Sequence, residues 1–439
     1  MNKKYITFIT IILLSSFGFS QEKLTKQQAI NLALENNYGI KIARNNVQIA
    51  KNNASIFNSG YLPVINVNSS ANYSKTNSEF TLQNGATNTT EGDVSKSLNA
   101  SIGLSYTLFD GLGRIYNFKK LKETHNLSQL EAKTIIENTL LQLFTIYFEA
   151  AYLTENTSNI LKSLNISKER LKRAQYNFEY GQNTKLEVLN AEVDVNNDSI
   201  LYINTKQQLA NTKRDLNLLM GRKIATHFEI ETNVTFNSLF KLSELISKSK
   251  QHNVEIEKVN NNIKISELDI KVNRAGFLPN LSFNGAYRHN RVENEGDYNF
   301  AKKILANGIN ANLSLNWNLF DGGTTKTRTQ NAKINANNYA IEKEQIIEEI
   351  ERNVTNALEI YNNALFVLKA EEINVETNKR NFQRTEEQFK LGQVTSIEFR
   401  QAQINLLNAQ NSLNQAKYEA KYAELNLLQL SGDLLNTKF

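Results

Sequence analysis

Two patterns of apolar residues alternate along the chain, and each occurs twice. In the first, one position returns every seventh residue as Ile136, Leu143, Ala150, Thr157, Leu164, Leu171 and Phe178, with Leu140, Tyr147 and Leu161 at the in-between position. It returns more cleanly as Ile347, Val354, Tyr361, Leu368, Val375, Phe382 and Phe389. These are coiled-coil seams. In the second pattern every other residue is apolar. Ile65, Val67, Ala71 and Tyr73 oppose Asn66, Asn68, Ser70, Asn72 and Ser74, and Leu98, Ala100, Ile102, Leu104, Tyr106 and Leu108 oppose an Asn, Ser, Gly and Thr face. Leu281, Phe283 and Tyr287, then Ile309, Ala311, Leu313, Leu315, Trp317 and Leu319, repeat the arrangement. Each is a strand with one apolar side.

Punctuation residues order these segments into two internal repeats, 24–221 and 242–432, rather than the three or so domains that length alone suggests. The first repeat predicts a helix from Leu24 to Ser59 with Thr25 as N-cap, a break at Gly60-Tyr-Leu-Pro63, and a strand pair at 62–74 and 97–109. Residues 75–96, rich in Asn, Thr and Gly without period, predict an exposed loop. After Asp110-Gly111 a proline-free run from Leu112 to Phe178 predicts one helix of about 100 Å at about 1.5 Å per residue. A tip at 180–187 follows, where Gly181 ends the helix and Thr184 with Glu187 forms a Thr-x-x-Glu capping box. The return helix runs from Lys185 to Met220, and a connector without clear period, 222–241, leads on.

The second repeat has a helix from Ser243 to Ala275, a strand pair at 279–288 and 308–320 around a polar loop from Arg288 to Asn307, a long helix, a tip at 391–398 and a last helix ending at Gly432. Residues 433–439 form a tail. The chain's two prolines, Pro63 and Pro279, mark equivalent helix-to-strand junctions. In each half two helices of about 35 residues match one of about 67, which predicts an elongated two-helix-wide hairpin, reversals at one end and strands at the other.

The start, Met1-Asn-Lys-Lys-Tyr5 followed by apolar Ile6 to Leu14 and then small residues, has the three parts of a secretory signal peptide, 1–20, with cleavage after Ser20. Its apolar core is about half the ~20 residues that a spanning helix needs. The absence of cysteine excludes disulfides, a thiol nucleophile and a lipidated N-terminal cysteine. The formal charge of +6 is spread thinly among alternating Lys, Arg and Glu, which marks a solvated coiled-coil surface and predicts no nucleic-acid partner.

The strands then point to a membrane. An apolar sheet face needs a protein core or lipid to cover it, and an opposite face of Asn and Ser suits a water-filled lumen. Eleven residues from Pro63 to Tyr73 reach about 36 Å, enough to cross ~25 Å of membrane when tilted by about 45°. Aromatic residues mark the expected interfaces: Tyr106 and Trp317 toward the helices, Tyr73 and Tyr287 toward the loops. Four strands cannot close a barrel, so the chain is expected to oligomerise in contact with lipid, which the resemblance given below implies is outer-membrane lipid. Two copies give eight strands with a filled interior, and three give twelve with the beginnings of an aqueous bore.

The doubled Gly-x-Leu-Pro, doubled Leu-Phe-Asp-Gly and doubled Gly-Gln-x-Thr resemble the TolC-type outer-membrane efflux protein family over essentially the whole mature chain. The resemblance implies a membrane α+β fold: a homotrimer with a 12-stranded transmembrane β-barrel continuous with a 12-helix periplasmic α-barrel, each chain giving four strands and long coiled-coil helices. It also implies a passive exit duct of a tripartite efflux or type I secretion system. The tips, Gly181, Gln182 and Thr184 with Gly392, Gln393 and Thr395, would dock a periplasmic adaptor (membrane fusion) protein, itself joined to an inner-membrane pump of RND or ABC type. At the entrance the chain departs from the pattern, with Glu187 and Asn190 in one tip and Glu398 and Gln401 in the other, one acid per tip instead of the pair after the second tip of well-known members. Val394 stands where such members carry an arginine.

Catalysis is not expected. His125, His227, His252 and His289 are scattered, no cofactor motif is present, and Ser247-Lys-Ser-Lys250 matches a Ser-x-x-Lys pattern on a polar helix face by chance. The competing reading is a structural or adhesive trimeric coiled coil on the cell surface. It accounts for heptads and export but gives no use to four amphipathic strands.

Overall fold

The computed structural model describes residues 23–237, 240–295 and 301–436. The expected signal peptide and its cleavage point lie outside the described residues, as do the last three residues of the expected tail. The chain divides into two compact units, one formed by residues up to Asn45, Leu130–Glu257 and from Glu344 onward, the other by Asn46–Gln129 and Lys258–Lys343.

The second unit is built on a four-stranded antiparallel sheet of β2 (Val64–Thr81), β3 (Thr87–Asp110), β5 (Asn280–Asn294) and β6 (Lys303–Asn316), in the order β2-β3-β5-β6. Its register gathers the period-two pattern onto one face. Ile65, Leu104, Gly285 and Ala311 lie side by side, as do Val67, Ile102, Tyr287 and Ile309, while Tyr106 aligns with Phe283 and Leu313. The other face carries Asn66, Gly103, Ala286 and Asn310, then Asn68, Ser101, Arg288 and Gly308.

Both hairpins are longer than the sequence reading. The loop expected at 75–96 shrinks to a turn between Thr81 and Thr87, closed by the Leu82 N–H on Ala86 O at 2.8 Å. The polar loop expected from Arg288 to Asn307 is strand as far as Asn294 and again from Lys303. Apart from Phe80, Val94, Val292, Ile304 and Leu305 these outer segments are polar, and those few apolar residues keep no period of two, so the alternation that identifies a strand is missing although the backbones pair. At the other end β6 stops at Asn316 rather than 320, and Trp317, just past it, donates its Nε1–H to Phe277 O at 3.1 Å.

Each long helix opens on an aspartate. The Asp110 carboxylate accepts the Arg114 N–H at 2.9 Å before α3 (Gly113–Glu179), and that of Asp321 accepts the Thr325 N–H at 2.8 Å before α7 (Thr324–Lys390). These bonds satisfy donors that a helix start leaves open.

In each repeat the first helix is broken in two: α1 (Lys26–Asn36) and α2 (Tyr38–Asn53) replace the single helix expected from Leu24 to Ser59, and α5 (Leu242–His252) and α6 (Val254–Arg274) replace that from Ser243 to Ala275. Both breaks fall on an asparagine. Asn37 gives its Nδ2–H to Leu219 O at 2.8 Å and takes the Ile40 N–H at 3.0 Å. Asn253 gives to Leu430 O at 3.2 Å and takes the Glu255 N–H at 2.9 Å. One amide thus caps the next helix and satisfies the end of a return helix, α4 (Lys185–Leu219) or α8 (Ser396–Leu430). Thr25 does cap α1, in a reciprocal box with Gln28.

The connector, which shows no clear period in sequence, contains β4 (Glu229–Ile230), which pairs in parallel with β1 (Lys23–Leu24). Two residues are too few to show a period. The pair sits on a core of Leu143, Phe144, Tyr147, Leu216 and Leu425, and the buried Tyr147 hydroxyl donates to Leu24 O at 2.9 Å.

Gly221 ends α4 at φ +65°, and an added Cβ there would lie 2.4 Å from Asn36 O. Gly221→Ala combines left-handed strain of about 1–2 kcal/mol with overpacking of about 1–3 kcal/mol. Gly85, at φ +82° with nothing within 4 Å of its added Cβ, carries the strain alone. The thermal unfolding midpoint should fall clearly further for Gly221→Ala than for Gly85→Ala, and equal shifts would remove the packing constraint at Asn36.

Candidate functional site

The two tips reverse the chain in the same way up to a point. Gly181 at φ +72° donates to Phe178 O at 3.0 Å and Gln182 to Asn177 O at 2.7 Å; Gly392 at φ +74° donates to Phe389 O at 3.1 Å and Gln393 to Gln388 O at 2.9 Å. Both are paired i−3 and i−5 bonds around a left-handed glycine.

The tips then diverge. Thr395 and Glu398 form a complete capping box: the Thr395 N–H and hydroxyl both donate to Glu398 Oε2 at 2.8 Å, and the Glu398 N–H returns to Thr395 Oγ1 at 3.2 Å. These bonds hold the Glu398 carboxylate below the usual carboxylate range. At the first tip the expected box is absent. Thr184 has cap geometry without a side-chain bond, and the Glu187 N–H bonds Thr184 O at 3.2 Å. A Thr-x-x-Glu spacing permits the box but does not set the rotamers that close it. Glu187 is half-buried, whereas Asn190, Glu398 and Gln401 are exposed, and Gln401 donates to Asn405 Oδ1 at 2.8 Å.

Around these reversals the tips expose apolar side chains at matching places: Tyr180 and Leu391 before the glycines, Leu186 and Ile397 two residues after the threonines, each at least 65% exposed. The sequence reading passed over them. The doubled motif held the signal, because an apolar residue recurs at each place in both copies.

Behind the tips the two hairpins are tied by a buried polar network that the sequence reading also missed. Arg400 of α8 makes a two-pronged bond to Asp198 of α4, Nη1 to Oδ2 and Nη2 to Oδ1, both at 2.7 Å. Ser167 of α3 donates to the same Oδ2 at 2.6 Å, and Arg170 of α3 pairs with Asp194. Gln403 Nε2 reaches Ser163 O at 2.7 Å and Ser167 Oγ at 3.0 Å. Burial works against the Arg400 charge, but the bonds to Asp198 and the charges of Asp198 and Asp194 outweigh it and raise its pKa. For Arg170 burial prevails and lowers it. Beside the network Phe399 stacks on Phe389 at 4.7 Å and meets Phe382 at 5.5 Å. No sequence spacing joins Asp198 to Arg400, so only the packed fold reveals the pair.

On the sheet, the large apolar residues of the apolar face stand largely uncovered, with Val67 71%, Ile309 81% and Leu313 61% exposed. Tyr106 lies toward the helical end of this face and meets Arg114, whose guanidinium carbon is 5.9 Å from the ring centre. Tyr73 is level with Lys96, Glu293 and Lys303, whereas Tyr287, level with Ile102 and Ile309, sits three rows deeper. The two loop-side tyrosines are therefore not on one level. Among the described residues no helix is long and apolar enough to cross a membrane. On the sheet the exposed apolar residues fall in neighbouring rows of one face, Val67 beside Ile102, Tyr287 and Ile309.

A family profile described as outer membrane efflux protein matches residues 29–222 and 245–433. The chain is 22% identical over 304 residues to the outer membrane protein TolC of Vibrio cholerae serotype O1, covering 68% of each chain. It is 21% identical over 418 residues to the probable efflux pump outer membrane protein TtgC of Pseudomonas putida, covering 92% of this chain and 82% of that one. In fold it is similar to the CmeC outer membrane channel of Campylobacter jejuni, with a TM-score of 0.74 at 17% identity over 93% of this chain and 86% of that one. Two matched segments that take in both hairpins, both long helices and both tips place the chain in the outer membrane efflux protein family, as an outer-membrane channel for efflux or secretion.

Proposed function

We propose that three copies of the chain form the exit duct of a tripartite efflux or type I secretion system, each giving four strands to a 12-stranded barrel in the outer membrane and its helices to a 12-helix periplasmic tunnel. The observation that carries this is the sheet itself, apolar on one face, Asn and Ser on the other, and open along β2 and β6. Each unpaired backbone group in hydrocarbon costs several kcal/mol, so β2 of one copy pairs with β6 of the next until the ring closes. The Asn and Ser face then lines a wet bore, and the channel is passive. A surface coiled coil leaves that sheet without purpose.

The tips are the adaptor contact. Tyr180, Leu186, Leu391 and Ile397 supply exposed apolar area, and Gln182, Thr184, Gln393 and Thr395 a polar rim, the composition of a protein interface. The periplasmic adaptor joins them to an inner-membrane pump of RND or ABC type. Glu187, Asn190, Glu398 and Gln401 line the entrance, where threefold symmetry gathers six carboxylates. Glu398 also caps its helix, and the cap keeps it ionised.

Native mass measurement in detergent should return a trimer, and a monomer or dimer as sole species would refute the closed ring. Gly181→Val with Gly392→Val strains φ at both tips where no neighbour interferes. That variant should assemble a normal barrel yet lose export, and full export would exclude the tips as the adaptor contact. Glu187→Gln with Glu398→Gln removes both charges while leaving position 398 an amide oxygen that can still cap, so cation selectivity in planar bilayers should drop, most clearly at low salt where screening is weak. Unchanged selectivity would leave Glu398 a cap and nothing more.

A further inference from the structure

We infer that the apolar sheet face ends, on its loop side, in a binding site for the phosphate of an outer-leaflet lipid, held by Lys96 of β3 and Arg291 of β5. The inference rests on the orientation proposed above, with the helices periplasmic and the hairpin loops outside. A cleft of about 400 Å³ opens on the sheet there, lined by Ala71, Tyr73, Lys96, Leu98, Arg291 and Glu293. It spans the boundary between two kinds of row. Leu98 lies level with Ala71, Arg291 and Leu305, and the next row outward is Tyr73, Lys96, Glu293 and Lys303.

The height of this boundary suits a headgroup. Ten residues of β5 separate Leu281, opposite Leu315, from Arg291, opposite Leu305. That is about 33 Å of strand at about 3.3 Å per residue, or about 23 Å across the membrane at a tilt of about 45°. An outer-membrane barrel has an apolar band of about 25 Å, so the two cations stand where acyl chains give way to headgroups.

The charge there is unbalanced toward the cation. Lys75, Lys96, Arg291 and Lys303 share this end of the face with Glu293 and Glu295. Lys96 Nζ lies 2.6 Å from Glu295 Oε1, and Arg291 Nε lies 3.0 Å from Glu293 Oε1. Both bridges are on the exposed sheet surface, Lys96 at 50% and Arg291 at 46% exposure, where solvent screening leaves an ion pair weak. A phosphate, with more acceptor oxygens and more charge than one carboxylate, displaces them at little cost. The apolar rows beneath distinguish a lipid from free phosphate: with the phosphate on Lys96 and Arg291, acyl chains lie along Leu98, Ala71, Ile102 and Val67. Tyr73 supplies the amphipathic ring common at such a level.

The full-length channel in detergent, loaded with a synthetic diglucosamine lipid carrying two phosphates, should retain that lipid in native mass spectra. The same lipid without phosphates should not be retained. Lys96→Gln with Arg291→Gln should lower retention by at least about tenfold, the share of one charge-assisted hydrogen bond. Glu293→Gln with Glu295→Gln frees both cations and should raise it, a gain that misfolding cannot mimic. Equal retention of the dephosphorylated lipid, or no change in either variant, overturns the site. So does residue-dependent thermal protection by millimolar inorganic phosphate that matches the lipid's, since that would make the ligand free phosphate. Oligomer mass and bilayer conductance are read on the same samples: a conducting protein that ignores phosphorylated lipid loses this site alone, whereas a protein that conducts nothing loses the channel reading beneath it.

Discussion

Backbone hydrogen bonding in a medium without water governs this chain. The sheet turns Val67, Ile309 and Leu313 outward with no protein over them, and it leaves one side of β2 and of β6 unpaired. In water such a surface invites aggregation. In lipid the apolar face is satisfied at once, and only the edges remain costly, by several kcal/mol per unpaired group. The Asn and Ser positions of the other face follow from the same constraint, because a bore that conducts water and solutes needs polar side chains without a second core. The ring proposed for three copies is what would close those edges.

Duplication explains how so long a chain meets few distinct problems. The break at Asn37 and its partner at Asn253, the glycine ends at Gly221 and Gly432, and the aspartates that open α3 and α7 are each one local solution used twice. Gly432 shows how literal the reuse is: its added Cβ would lie 2.9 Å from the His252 backbone, as that of Gly221 would crowd Asn36. Close packing of a return helix onto a helix break admits no side chain in either copy.

The long helices, the tips and the membrane-level strands were legible because each rests on a period or on a residue with a forced conformation. Tyr361 and Val354 recur at heptad spacing and are buried, and Gly181 and Gly392 sit at positive φ where the motif requires it. What escaped had no such signature. The outer halves of the hairpins keep no period of two, so Thr76 to Thr81 reads as loop although its backbone pairs. Asn37 in a polar stretch looks like any other asparagine, and its role depends on Leu219, far away in sequence. The Arg400 to Asp198 pair belongs to the same class, set by packing between hairpins.

That pair shows how two copies of one motif come to differ. At the place that Arg400 holds after the second tip, the first tip has Leu189, and where the second has Phe399 the first has Val188. The second hairpin thus supplies the guanidinium and the large ring, and the first supplies the acids, Asp194 and Asp198, that receive it. Removing one partner of a buried pair costs about 3–5 kcal/mol, whereas the intact pair adds little over an apolar contact. The contacts tie α8 to α3 and α4, so they join the two hairpins while adding little net strength. Because Arg170 Nε and Gln403 Oε1 are buried without a hydrogen-bond partner among the described residues, the network is held short of full satisfaction.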